Sequence, residues 1–258
     1  MKNSSSSKIL QPVSIKKIAV TQWFLIKSEL LTLRVNWQWS LFIVLVAPLS
    51  VLLFLYLLLG RADSSYMTYA LSGNIIMSLV TGTMLTLGQE LGFLKDVRGF
   101  DYYASLPLYK IQLITAYLIR ATIITIPSIM ILIAIGKIAF NVQIVIHISL
   151  FVIVFLSGMS LAGLGAFIGI YSRNSSHAST ITQILQPIII YCAPVFVPSQ
   201  NMPKVMQVIS WFIPTTYVAS ALRNSFNGIF DWFNIAILIA FCVISVYLVE
   251  FKIDWRQK

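Results

Sequence analysis

Long apolar runs separated by short polar clusters dominate the chain. They cover about 39–59, 66–87, 111–136, 142–170, 178–196 and 232–249, and each approaches or exceeds the roughly 20 residues needed to cross a hydrocarbon core of about 30 Å. The pattern predicts an all-α integral membrane protein with six transmembrane helices over residues 39–252. Before the first run, Ile15, Ala19, Trp23, Ile26, Leu30 and Leu33 recur at helical spacing, with Lys17, Thr21, Ser28 and Thr32 on another face. Residues 14–38 are therefore expected to form an amphipathic helix. Its Lys16, Lys17, Lys27 and Arg34, with Trp23 and Trp37, suit a helix lying in the membrane interface.

The ends and breaks are informative too. Residues 1–13, with the run Ser4 to Ser7 and Pro12, have too little apolar content to fold alone and are expected to form a disordered tail. No cleavable leader is apparent, because the first apolar run starts near Leu41, so the N-terminus is expected to be retained. Residues 253–258 form a second short tail. The fourth run is rich in small residues, Gly158, Ala162, Gly163, Gly165, Ala166 and Gly169, which let membrane helices approach closely.

Two connecting segments are more organised than loops. In 89–110, Leu91, Leu94, Val97 and Phe100 or Asp101 fall at helical spacing, Gly99 is placed to break the turn, and Pro107 to open the next span. This predicts a short helix across the membrane surface. Segment 198–231 is too apolar for a free loop and too proline-broken for a normal span, which predicts re-entrant helices covered by protein.

Composition and charge settle the environment and orientation. Of 258 residues, 58% are hydrophobic and 10% charged, against roughly 25% charged in soluble domains. The net charge of +10 comes from residues flanking the apolar runs rather than from a basic stripe, so it points to membrane topology and not to nucleic acid. With the N-terminus inside, thirteen Lys and Arg fall in cytoplasmic segments. Four are external: Arg61, Lys137, Lys204 and Arg223. That asymmetry predicts both termini in the cytoplasm.

Chemistry is sparse. Cys192 and Cys242 lie apart in apolar runs and read as small buried hydrophobes, and His147 and His177 have no companion at metal spacing. No GxxxxGK[ST] phosphate loop occurs. No catalytic, metal or cofactor site is expected in this chain, and energy would come from a partner. An ion-coupled carrier or channel is the alternative; intramembrane acids or repeat symmetry, which it should show, are missing from the sequence. A membrane enzyme should show convergent His, Glu or Asp. An importer permease would carry its docking loop later in the chain.

Glu90, Gly92, Leu94, Arg98 and the run Ser105, Leu106, Pro107, Leu108 resemble the cytoplasmic elbow of the ATP-binding cassette (ABC) type-2 permeases, the transmembrane subunits of exporters. Pro198, Pro203, Pro214, Tyr217 and Arg223 are similar to the same family's segment between the fifth and sixth helices, although Ile213 stands where the family often has Asn. The resemblance implies a coupling helix that docks on an ABC ATPase subunit, which would bind ATP and Mg. It also implies an external gate at 198–231 bearing those five residues. A homodimer, or a heterodimer with a similar permease, would surround an amphipathic cargo such as lipid, lipid-linked glycan, drug or peptide. The implied location is a bacterial-type inner or plasma membrane, with lipid as a further partner.

The elbow residues themselves suit docking. Lys95, Asp96, Arg98 and Asp101 supply mixed charge, and Phe93, Phe100, Tyr102 and Tyr103 supply aromatic anchors. ATPase coupling is accordingly expected from Glu90, Phe93, Leu94, Lys95, Asp96, Arg98, Gly99, Phe100, Tyr102 and Tyr103. Glu90, at the bilayer border, needs a cation, for which Arg34 and Arg120 are the candidates.

Overall fold

The computed structural model describes residues 15–59, 64–140 and 142–252; both predicted tails, 1–13 and 253–258, lie outside them. Every regular element among the described residues is helical: α1 Ile15–Leu59, α2 Ser64–Leu79, a π-helical segment Val80–Leu85, α3 Thr86–Asp96, α4 Gly99–Ala104, α5 Lys110–Phe140, α6 Ile148–Tyr171, α7 Ser175–Tyr191, α8 Lys204–Ser210, α9 Pro214–Phe226 and α10 Trp232–Lys252. Five helical stretches are long and apolar enough to cross a membrane, 37–58, 66–96, 110–140, 148–171 and 232–251. The pair α8 and α9, bent by 87°, makes a sixth by length and composition if counted as one span.

Several boundaries differ from the sequence expectation for physical reasons. The amphipathic segment and the first span form one uninterrupted 45-residue helix, about 68 Å of rise, with no break near residue 38. Its first half packs on α5 through Ile18, Gln22, Glu29 and Leu33, leaving Ala19 and Trp23 exposed. The Gln22 amide donates to Thr115 Oγ1 at 2.9 Å, and the Gln112 amide donates to the Ile18 carbonyl at 3.0 Å. Gln22, Glu29 and Gln112 thus face protein across this contact while Trp23, Phe24 and Leu31 stand outward, as suits side chains beside lipid.

The second span does not end at Leu87 but runs through the π-helical segment to Asp96. This long helix is the centre of the bundle, with Leu71, Ile75, Ile76, Leu79, Val80, Met84 and Leu87 fully buried. Its irregular turn is held by hydroxyls: Thr86 Oγ1 donates to the Thr81 carbonyl at 2.8 Å, five residues back, and Thr81 Oγ1 to Met77 at 2.8 Å. Gly82 belongs to this turn, where a Cβ would run into Thr125 and Val44.

The fourth span starts six residues later than its apolar run, because 142–147 forms no regular secondary structure. Val142 N–H donates to the Gly136 carbonyl at 3.0 Å and Val145 N–H to the Phe226 carbonyl at 2.9 Å. His147 then caps α6, its ring nitrogen accepting from Ser149 N–H. The fifth span ends at Tyr191 rather than Phe196, since a turn containing Pro194 follows, and at 17 residues α7 rises only about 26 Å.

The small residues of α6 do what their spacing suggests. Along the crossing with the central helix, a Cβ on Gly169 would lie 2.6 Å from the Gly88 carbonyl oxygen, and one on Gly165 would strike the Met84 backbone. Backbone cannot step aside as a side chain can. Gly165→Ala is therefore expected to destabilise the fold by about 2 kcal/mol, read as a lower thermal midpoint in detergent. Gly73→Ala, which meets only the ring of Phe196, should cost less.

Candidate functional site

Three helices meet on one guanidinium at the end of the bundle where α3 gives way to α4. Arg120, on α5, pairs with Glu90 of α3 and, at 3.4 Å, with Glu29 of α1. Its guanidinium carbon also lies 5.0 Å from the centre of the Tyr117 ring. Tyr117 and Tyr103 share a hydrogen bond of 3.1 Å, and the Tyr103 hydroxyl points at Glu29 Oε1, 3.5 Å away. The group carries two carboxylates for one cation. Burial pushes the Glu29 carboxyl above the ordinary glutamate range, Arg120 pulls against that, and the neighbouring Glu90 adds to the rise. Arg34, the other candidate partner for Glu90, is exposed and makes no ion pair among the described residues.

The end of α3 is fastened a second time. Lys95 Nζ donates to the carbonyls of Ile170 and Ser172, at 3.3 and 2.8 Å, satisfying acceptors left open where α6 stops. Asp96 accepts from Ser175 N–H at 2.8 Å, at the start of α7, where Asn174 also caps by accepting from His177 N–H at 2.8 Å. One charge of each sign thus clips α3 to the corner between α6 and α7.

The turn into α4 falls on Arg98, not Gly99. Arg98 has φ +53°, a left-handed conformation costly for a residue with a Cβ. Gly99 is the first residue of α4, where a Cβ would collide with Leu94. α5 then opens at Lys110 rather than at Pro107, and Gln112 reaches back to accept from Tyr109 N–H at 3.1 Å.

The ten elbow residues therefore separate into two sets. Phe100 is only 6% exposed and packs among Leu87, Leu91, Leu113 and Tyr117. Tyr103, Leu94, Lys95 and Glu90 are part-buried and engaged with the bundle, and Gly99 seats the turn on Leu94. Phe93 and Tyr102, 59% and 65% exposed, stand outward with Val97, Arg98, Asp96 and Asp101. Glu29, Tyr117 and Asn174 were missed by sequence reasoning. Glu29 alone left a trace, as the single acid in an otherwise cationic helix.

At the opposite end the marked prolines begin helical turns. Pro198 precedes a short 3₁₀ turn, Pro203 precedes α8, and Pro214 is the first residue of α9. The Tyr217 hydroxyl donates to the Trp211 carbonyl at 2.7 Å, closing the bend between α8 and α9. Arg223 turns inward: it donates to Ser72 Oγ at 3.0 Å and to the Val195 carbonyl, and covers the Tyr69 ring at 3.8 Å. It joins α9, α2 and the turn after α7. Asp231 accepts from the Asn224 amide and from Asn234 N–H, linking α9 to the start of α10.

The raised Glu29 carboxyl gives a pH prediction. The folded form keeps this proton to higher pH than the unfolded chain, so its contribution is complete below the ordinary glutamate range and is lost as pH rises through the folded value. Thermal midpoints in detergent, measured from mildly acidic to neutral pH, should fall less steeply in Glu29→Gln than in the parent protein. Identical slopes would show that Glu29 is not buried in this way.

A family model described as ABC-2 type transporter matches residues 22–227, from the part of α1 facing α5 to the residue after α9. No curated protein matches the chain significantly. The matched region holds both the elbow and the α8–α9 bend, within a bundle of helices long and apolar enough to span a bilayer. The chain is a multi-pass membrane transport protein and belongs to the ABC-2 type transporter family.

Proposed function

We propose that this permease is the membrane half of an ATP-driven exporter, working with a separate ABC ATPase that binds ATP and Mg. The observation that carries the reading is the division of the elbow. Inward residues fasten α3 and α4 to α1, α5, α6 and α7, while Phe93, Val97, Arg98 and Tyr102 remain outward. A surface of aromatic anchors and mixed charge, fixed rigidly to most of the bundle, suits a lever pushed by a motor.

In this reading the elbow and both termini are cytoplasmic, the first half of α1 stands on the cytoplasmic side, and the chain resides in the cell membrane. The bent pair α8 and α9 re-enters the membrane from outside as a gate, with Arg223 and Tyr217 holding its shape. Two copies, or this chain and a similar permease, enclose the path, because the interior of one bundle is filled by its own side chains. The cargo is amphipathic: a lipid, lipid-linked glycan, drug or peptide. Transport is a population shift between inward-open and outward-open states, and no residue of this chain breaks a bond.

A photo-crosslinking amino acid at position 102, introduced into the full chain in its own membrane, tests the docking surface. It should capture a protein carrying a phosphate-cradling Walker loop, whereas the same probe at the buried position 100 should capture none. Capture of no ATPase from position 102, with the chain folded, would sink the exporter reading.

A further inference from the structure

Between the second half of α5 and the first half of α6 runs an apolar groove of about 370 Å³. Its walls include Met130, Ile133, Leu150, Phe151 and Phe155, and Lys137 is the only charged residue among those lining it. Met130 and Phe151 are well exposed, and Ile146 of segment 142–147 lines the Lys137 end. We propose that this groove binds one acyl chain of an anionic phospholipid, with the lipid phosphate held at Lys137.

Length, depth and charge all point to that occupant. From Ile126 to Ile138 the α5 wall rises about 18 Å, a little more than half of a hydrocarbon core of about 30 Å, which is the reach of one leaflet's acyl chain. α5 has 31 residues, about 46 Å, enough to cover the core and both headgroup zones. Lys137, in its last turn, therefore stands at headgroup depth. It makes no ion pair among the described residues.

A second protein copy fits the groove less well. Among the described residues, the carboxylate at this end is Asp231, and it is engaged by Asn224 and Asn234. Lys137 also complements the α5 dipole, but that role leaves the groove beside it unfilled.

The test uses the full chain in phosphatidylcholine vesicles containing a trace of phosphatidylglycerol or phosphatidylcholine with a diazirine in the acyl chain. Adducts are mapped by mass spectrometry, so that anionic lipid gathered at the basic elbow end is counted separately. Adducts on α5 130–138 and α6 150–155 should be roughly fivefold more abundant with the anionic lipid, the enrichment expected of one lysine at a membrane surface. Lys137→Gln should reduce that ratio to parity and Lys137→Arg should preserve it, while Ala134→Trp, which fills the groove, should remove the adducts with either lipid. Equal labelling by both lipids in the parent chain would overturn the proposal, as would a ratio unchanged in Lys137→Gln. Disulfide linkage of two Met130→Cys copies in the membrane would also overturn it, because a second copy would then cover the groove. None of these readouts needs an ATPase or a cargo, so their outcome is separate from that of the exporter reading.

Discussion

One guanidinium serving two carboxylates organises the elbow end of the bundle. Arg120 sits where α1, α3 and α5 converge, and each helix contributes one member of the cluster. Removing Arg120 would leave two carboxylates, one of them buried, without their cation. The three helices are therefore held in one mutual arrangement unless a proton or a counter-charge intervenes. The second fastening, Lys95 and Asp96 on the α6–α7 corner, extends the constraint. Together the two fastenings tie the end of α3 to α1, α5, α6 and α7.

That constraint would be of little use in a slack bundle. The α6 glycines bring its backbone onto the central helix at Gly88 and Met84, where the π-helical turn is closed by Thr86 N–H on the Thr81 carbonyl with threonine hydroxyls beside it. The tight crossing thus lies beside a π turn, a rare geometry found mostly at functional sites. At the far end Arg223 gathers α9, α2 and the turn after α7 onto one side chain. Each end of the molecule thus has its own arginine hub, and the central helix belongs to both.

The sequence made the membrane architecture legible because lipid imposes it through composition alone: long apolar runs, flanking cations and glycines at helical spacing. It also located the elbow and the proline-broken bend. Other features depend on contacts that periodicity does not record. The π-helical turn requires knowing that Gly82 faces Thr125. The late start of α6 depends on Val145 finding the Phe226 carbonyl. The inward roles of Phe100, Tyr103 and Lys95 could not be separated from the outward ones of Phe93 and Tyr102, because all lie within eleven residues of similar character. Glu29 was overlooked because its helix was read for its apolar stripe, whereas the face that meets α5 also carries Gln22 and Glu29.

The coupling role of the Glu90–Arg120 pair is tested most directly by distance measurements at the far end of the assembled complex. Spin labels at Val205 on α8 and Ile138 at the end of α5 are both well exposed and need no knowledge of the cargo. In the parent complex, ATP should change the distance between them. In Glu90→Gln, assembly and ATP hydrolysis should persist while that change is lost. An undiminished ATP-driven change in Glu90→Gln would contradict the proposal that motor movement reaches the bundle through this pair.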